Sequence, residues 1–232
     1  MTKALVIFSG GQDSTTCLYW AKQNFDEVHA LTFDYGQRHA REIDAALTIA
    51  GMAGVASIEV LQLGPILNGR SPLTNPAEPL ETYTDFASMD ATIGDRVELT
   101  FVPMRNALFL TLAANRAICL DCHDMVTGVC EADNANYPDC RGQFIRAQEA
   151  TICEALGIDR FTIHTPLLRR TKPETVALAR ELGPECMAAL AYSHTCYAGE
   201  FPPCGVCHAC VLRAEGFRVA GVEDPLVARS KR

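Results

Sequence analysis

Lysine is scarce in this chain, and long apolar runs are missing. Only four of its 20 basic residues are lysine, the other sixteen being arginine, and 28 Asp+Glu outnumber them to leave a net charge of −8. A negative surface repels the phosphate backbone that supplies most of a nucleic-acid binder's affinity, so no stable nucleic-acid binding is expected. No apolar stretch approaches the roughly 18 residues of a membrane span, and Ala4–Phe8 is too short to be a signal-peptide core. Internal repeats and low-complexity tracts are missing too. These absences point to a cytoplasmic protein with no membrane partner. The chain also lacks a Gly-Lys-Ser/Thr phosphate loop and a G-x-G-x-x-G dinucleotide fingerprint.

What remains is ordinary globular material: 232 residues, 48% hydrophobic and 21% charged, enough to bury a core without staples. Eleven cysteines without an export signal argue for metal or chemistry rather than a disulfide framework. The arginine bias suits anionic ligands, because the planar guanidinium matches carboxylates and phosphates.

Hydrophobic periodicity predicts an alternating α/β chain. Ala4–Phe8 is a continuous apolar run, as in a parallel strand buried on both faces, and a helix follows from about Asp13 to Asn24. Further strands are expected at Val28–Phe33, Ser57–Leu63, Met125–Cys130 and Arg160–His164, with helices over Arg38–Met52, Arg105–Ile118, Gly142–Leu156 and from Pro173. The stretch 64–95 is rich in Pro, Gly, Ser and Thr without a period and reads as a loop or lid insertion. The expected architecture is a Rossmann-like parallel sheet with helices on both faces over 1–190, followed by a small cysteine-bearing segment over 191–232.

Ser9-Gly10-Gly11-Gln12-Asp13-Ser14 lies where the first strand meets the first helix, the place at which such folds bind ligands. Paired glycines, free N–H groups at a helix start and two hydroxyls make a cradle for phosphate. As a plain turn it would need only Asp13 and Ser14 as caps. The segment resembles the pyrophosphate loop of the ATP pyrophosphatases, whose fold is that of the adenine nucleotide alpha hydrolases. The likeness implies ATP binding by Phe8, Ser9, Gly10, Gly11, Gln12, Asp13, Ser14, Thr15, Thr16, Cys17 and Leu18, with Asp13 placing Mg²⁺ on the phosphates.

Further motifs narrow the resemblance. Phe33-Asp34-Tyr35-Gly36-Gln37-Arg38-His39, Phe101-Val102-Pro103-Met104-Arg105-Asn106, Tyr137-Pro138-Asp139-Cys140-Arg141, Thr165-Pro166-Leu167 and Thr195-Cys196-Tyr197 follow one another as in the 7-cyano-7-deazaguanine synthase family. That resemblance spans nearly the whole chain. It implies a homodimer that converts 7-carboxy-7-deazaguanine, ammonia and ATP to the nitrile preQ0 through an acyl-adenylate and an amide. Two positions depart from the family pattern: Met104 stands where glycine is expected, and Ala135-Asn136 where Ser-Gly is expected. Both motifs should border the substrate, so a larger Met104 could reshape the pocket; the nitrile remains the expected product, and an enzyme that stops at the amide or passes the acyl-adenylate to another amine is the alternative.

The chemistry asks for anion donors rather than a covalent nucleophile. Arg105 could reach phosphate or substrate carboxylate bidentately, or be a helix-end surface residue, and Lys172 could meet the α-phosphate or be an ordinary solvated lysine. With Asp13 they form the candidate catalytic set. Asp133 and Asp139 are candidates for pairing with the N1–H and amino group of a deazaguanine, Asp139 favoured by its motif; Tyr137 could stack on the base and Arg141 face the substrate carboxylate. His39 reads as a general base, a phosphate contact or a structural histidine.

Cys196, Cys204, Cys207 and Cys210 form C-x₇-C-x₂-C-x₂-C, the spacing of a closed four-thiolate site, with Gly205 easing the turn. Structural Zn²⁺, one per chain, is the expectation and agrees with the resemblance; an iron–sulfur cluster fits the same count. His208, between two of these cysteines, reads as a bystander. Cys119, Cys122, His123 and Cys130 could be drawn as a second site, but the intervening strand argues against convergence. Gly128-Val129-Cys130-Glu131 lacks the second glycine of a glutaminase turn, so ammonia must arrive free or from a partner. Competing readings are an enzyme acting on a nucleobase within tRNA and a nucleotide-binding module without turnover.

Overall fold

In the computed structural model, which describes residues 1–133 and 135–231, five parallel strands form one sheet. They are β1 (Lys3–Ile7), β2 (Glu27–Asp34), β3 (Ser57–Gln62), β4 (Asp124–Val126) and β5 (Thr162–His164), in the order β3-β2-β1-β4-β5. The register pairs Leu5 with His29 on one side of β1 and with Met125 on the other. The expected parallel α/β architecture is therefore present. β4 is shorter than predicted, because the chain leaves the sheet at Thr127 and Gly128 to line the cleft beyond it.

Alternation along β1 explains why its whole apolar run is needed. Ala4, Val6 and Phe8 pack with α1 (Gln12–Asn24), α2 (Arg41–Ala53) and the later α6 (Lys172–Glu181) and α7 (Pro184–Leu190). Leu5 belongs to the opposite core, with α4 (Arg105–Cys119) and α5 (Gly142–Leu156). Period-2 side-chain direction thus feeds two hydrophobic layers from one strand. The crossovers β1-α1-β2-α2-β3 run to one edge, and the chain then returns to place β4 on the other side of β1. The C-terminal ends of β1 and β4 consequently flank a topological switch point, where doubly wound sheets leave a crevice.

The stretch expected to be an unbroken loop, 64–95, contains α3 (Phe86–Ile93). Asp85 accepts the Ser88 N–H at 2.8 Å and Ser88 Oγ accepts the Asp85 N–H at 3.2 Å, a capping box that starts two turns too short to show a helical period. Met89 and Ile93 on α3 pack with Tyr83, Val211 and Leu212, the last two on α8 (His208–Val219). Tyr83 N–H donates to Val206 carbonyl at 2.8 Å in the same region. Residues 64–95 and the cysteine-bearing segment therefore form one wall. Arg213 ties that wall to the sheet domain: its guanidinium grips Asp224 in a fork at 2.7 and 2.8 Å and donates to Ser193, Thr195 and the Leu190 carbonyl. Asp224 also caps α9 (Pro225–Ser230), which, like α7, periodicity does not reveal because it is too short.

Gly10 fixes the height of the phosphate loop over the sheet. Its φ is +81°, and a Cβ there would lie 2.4 Å from the Glu42 carbonyl oxygen and 2.6 Å from the Ala46 nitrogen. Backbone strain and collision with α2 act together. Gly10→Ala is expected to lower stability by about 3 kcal/mol or more, a fall of roughly 6–12 °C for a domain of this size; a melting curve within 2 °C of wild type overturns it.

Candidate active site

The cleft at the switch point is floored by Phe8, Ser9, Gly11, Gln12, Asp13 and Ser14. Its hydroxyls are turned inward on the loop: Ser9 and Ser14 Oγ lie 3.1 Å apart, Ser14 Oγ also accepts the Ser9 N–H and donates to the Gly11 carbonyl. Gly11, the N-cap of α1, supplies no side-chain cap, so the first-turn N–H groups face the cleft without an intrahelical partner. This is a preformed anion site. Thr15, Thr16, Cys17 and Leu18 are buried further along α1, where Thr16 bonds the Gln12 carbonyl and Cys17 the Thr127 carbonyl. Gly10 supports the loop from behind rather than bordering the cleft. Gly128 lets β4's continuation approach, since a Cβ would sit 3.2 Å from the Asp13 and Ser14 backbone.

Lys172, at the start of α6, places Nζ 2.7 Å from Asp13 Oδ2. The lysine is 8% exposed. Burial opposes its charge, yet the neighbouring Asp13 and then Asp133 override it and hold the ammonium above the ordinary lysine range. Burial in turn raises the Asp133 carboxyl, with Lys172 pulling it back. Asp13 Oδ1 is buried without a partner among the described residues, an orphaned carboxylate oxygen that suits a cation.

Arg105 borders the cleft beneath Tyr35, Tyr137 and Tyr197; burial opposes its charge, and the phenolic oxygens around it favour it. Tyr137 also lines the cleft, its hydroxyl 2.5 Å from Thr100 Oγ1 and 3.2 Å from Glu98 Oε2, and its ring 5.5 Å from that of Phe101. Of the two candidate base-reading carboxylates, Asp133 borders the cleft. Asp139 lies outside the lining: its Oδ2 accepts the Asn106 N–H at 3.3 Å, so it anchors the start of α4. Arg141 is exposed and also outside the lining. Burial, then Asp133, pushes the Cys130 thiol up to about 11, and burial, then Asp139, pushes Cys140 up to about 12, so neither thiol at the cleft is a nucleophile at neutral pH.

The two departures from the family pattern keep the backbone that glycine would adopt. Met104 has φ 64° and its side chain is 69% exposed, away from the cleft lining. The expected reshaping of the pocket by Met104 does not occur. Asn136 has φ 56°, and its side chain donates to the Gly94 and Arg96 carbonyls at 2.9 and 3.0 Å. Asparagine tolerates this region better than most residues, and here its amide fastens the loop.

Three histidines line the cleft, His39 from the Phe33–His39 motif and two that carry no motif in the sequence. His39 Nε2 lies 3.3 Å from Glu42 Oε1, which also accepts from Gln37 at 3.0 Å. His194 and His208 enter from the C-terminal segment. Burial, then the Lys172 charge, lowers His208 to about 4. Only tertiary packing brings His194 and His208 in, and no spacing rule could have found them.

The four cysteines converge: the Sγ atoms of Cys196, Cys204, Cys207 and Cys210 lie within 4.8 Å of one another. The Cys204 and Cys207 N–H groups each point at a cluster sulfur at 3.4 Å. Hydrogen bonds from Cys207 and Cys210 hold Cys196 far below the ordinary thiol range. A donor set of four mutually crowded sulfurs with backbone N–H support fits a closed metal site. Cys122 lies in the α4–α5 core and Cys130 at the cleft, so the second cysteine grouping does not form.

The chain matches the protein family described as "Queuosine biosynthesis protein QueC" over residues 3–221. It is 54% identical over 229 residues to a 7-cyano-7-deazaguanine synthase of Gloeobacter violaceus, covering 97% of this chain and 96% of that protein. It is 50% identical over 228 residues to the synthase of Laribacter hongkongensis (97% and 94% covered) and 47% identical over 231 residues to that of Chromobacterium violaceum (98% and 94%). Among solved structures it is similar, at TM-score 0.46 and 18% identity over 78% of this chain and 75% of the other, to a predicted tRNA methyltransferase subunit of Methanocaldococcus jannaschii.

Gly216 on α8 sets where Lys172 can lie, because a Cβ there would be 2.7 Å from Lys172 Cγ and 3.2 Å from its Cβ. These atoms are the root of the side chain, not its free end, so they cannot swing aside. Gly216→Ala is expected to cost about 1–3 kcal/mol by overpacking and to cost less in a Lys172→Ala background, where Cγ is gone. Equal melting-temperature losses in the two backgrounds overturn this contact.

Proposed function

The chain belongs to the QueC family of queuosine biosynthesis proteins, and from that membership we propose that it is an ATP-dependent carbon–nitrogen ligase making 7-cyano-7-deazaguanine from 7-carboxy-7-deazaguanine and ammonia. The observation that carries this reading is the Lys172–Asp13 pair set over a preformed anion cradle, in one cleft with Arg105, Asp133 and Tyr137. The reaction takes place in two halves. A carboxylate oxygen of the substrate attacks the α-phosphorus of ATP and pyrophosphate leaves; ammonia then attacks the acyl carbon, a proton is lost, and AMP departs with the former carboxylate oxygen to leave a primary amide. The amide oxygen attacks a second ATP in the same way, and loss of AMP and two protons from the adenylated amide gives the nitrile.

Each half needs charge placed where negative charge grows, and little covalent help. The α1 N–H groups receive the departing pyrophosphate, while the Ser9 and Ser14 hydroxyls hold the loop in shape. Lys172 faces the α-phosphate as a fixed ammonium, since Asp13 keeps it charged despite burial. Asp13, whose Oδ1 is buried without a partner among the described residues, would hold Mg²⁺, which when bound would supply further positive charge to the phosphates. Arg105 and Asp133 hold the two ends of the deazaguanine, carboxyl and amino edge, and Tyr137 offers its ring to the base. The exposed placement of Met104 and the backbone-fixing role of Asn136 leave this pocket wall intact, which favours completion to the nitrile over release of the amide.

The four-cysteine group holds one structural Zn²⁺ in this reading, since four thiolates leave no position for water or substrate. The rest of the reading is a homodimer of the cytoplasm that takes ammonia free or from a partner and forms no stable complex with nucleic acid. Two supports are the family likeness and the absence of any described helix long and apolar enough to cross a membrane.

Two AMP and two pyrophosphate are expected per nitrile, with amide rising and then falling in a mass-spectrometric time course; ADP formed in step with product, or amide that persists with fresh ATP present, overturns the mechanism. Asp13→Asn is expected to lower kcat by about 10²-fold or more and also to lower the melting temperature, because the buried Lys172 ammonium loses its carboxylate partner. Metal analysis should find one zinc per chain, and Cys207→Ser should lose it and melt at lower temperature, because thiolate ligation is coupled to folding. A metal-free variant of unchanged stability contradicts the zinc assignment.

A further inference from the structure

His208 is 3% exposed and borders the cleft, yet neither of its ring nitrogens has a partner among the described residues. A buried polar group without a hydrogen bond destabilises the fold unless something outside the chain completes it. The ring is not part of the metal group: the four converging ligand atoms are all sulfur. Its place in the cleft is defined on two sides. On one side is Lys172, whose stem is packed against α8 at Gly216 and whose ammonium acts on the imidazole. On the other is Tyr197, whose ring lies parallel at 6.5 Å and which neighbours Arg105.

In the ligase reading the Lys172 side is where phosphate collects, and the Arg105 side is where the carboxyl end of the substrate is held. An atom within reach of His208 therefore belongs to the group that joins them. We propose that His208 is a substrate-binding residue for the carboxyl group of the acid, donating a ring N–H to the acyl oxygen that stays on the substrate while the other oxygen attacks phosphorus. In the second half the same donor has only the amide's nitrogen side to face, so its contribution falls mainly on the first. This inference rests on the ligase reading above and adds a residue that the sequence motifs do not include.

The test uses the full-length, metal-loaded protein. His208→Phe keeps the ring's bulk and removes both nitrogens. It is expected to lower kcat/KM for the carboxylated base by roughly tenfold or more, the worth of one hydrogen bond to a charged group, while the KM for ATP changes less than about twofold. Binding supplies a readout that structural damage would not mimic. Calorimetry with 7-deazaguanine, which lacks the carboxyl group, should give the same affinity in variant and wild type, whereas 7-carboxy-7-deazaguanine should bind the variant more weakly. Metal content should stay at the wild-type level. Unchanged kinetics with the acid, equal weakening toward both bases, or a loss that falls on ATP instead overturns the proposal. If His208→Phe does not fold, His208→Gln carries the same measurements, with partial retention of acid binding expected because one donor remains. Wild-type protein that makes no AMP with the acid would sink the ligase reading itself; wild-type turnover with an indifferent His208→Phe would sink only this inference.

Discussion

A buried ammonium cannot stand alone, and the rest of the site is arranged around that constraint. Removing Lys172 from water has to be offset by carboxylate, and Asp13 at 2.7 Å and the nearby Asp133 provide it. Asp13 can do so only because the phosphate loop turns at Gly10 and enters α1 at Gly11, which brings the carboxylate to the cleft rather than to solvent. Lys172 can do so only because α6 begins beside α8, at the one helical position without a Cβ to displace its stem. The ion pair thus links the first strand's end to two helices that lie about 160 and 200 residues further along the chain. Its arrangement is loaded toward function, since the pair presents both signs to a ligand rather than neutralising each other in the core.

The C-terminal segment is part of this machinery. The four sulfurs converge directly before α8, which then carries His208 to the cleft and Gly216 to Lys172. Arg213, on the same helix, binds Asp224, Ser193 and Thr195 and so holds the 191–199 loop beside the phosphate loop, where the His194 N–H donates to the Gly10 carbonyl at 2.9 Å. Residues 64–95 complete the support by packing α3 on the other side of α8. Whatever fixes the sulfurs therefore fixes the active-site wall. A metal there would act on the cleft through backbone placement.

How much of this could be read from residues alone follows the range of each signal. The phosphate loop was legible because strand, glycine pair and helix start are adjacent in sequence and the physics of anion binding at a helix N-terminus is local. The four cysteines were legible for the same reason, their spacing restricting them to one turn and one helix start. The continuous apolar run of β1 revealed the doubly covered sheet. Misreadings begin where tertiary contact decides. Asp139 looks like Asp133 in a polar loop, and only the position of α4 makes one an anchor and leaves the other at the cleft. His208 reads as a bystander among the clustered cysteines and indeed lies outside the four-sulfur group, but its neighbours in space, Lys172 and Tyr197, cannot be read from its neighbours in sequence. The helix α3 was hidden by length: eight residues bury only Met89 and Ile93, too few to establish a period.

Met104 and Asn136 show why a departure from a family pattern need not be a departure in chemistry. A glycine in such a motif can be required for two separate reasons, absence of a side chain or access to positive φ. If the first applied, methionine would fill the pocket. The structure separates the two: Met104 holds φ 64° while its side chain points into solvent, so the motif at this position demands only a conformation. That conformation has a purpose, because a left-handed residue immediately before Arg105 turns the chain sharply into α4 and puts the guanidinium at the helix's first position, facing the cleft. Methionine meets the demand at a strain of about 1–2 kcal/mol, borne by a helix whose first turn is also anchored through Asn106 to Asp139. Asn136 meets it with less strain and adds two hydrogen bonds to residues 94–96. The two substitutions thus change local stability while leaving Arg105 and Tyr137 at the cleft.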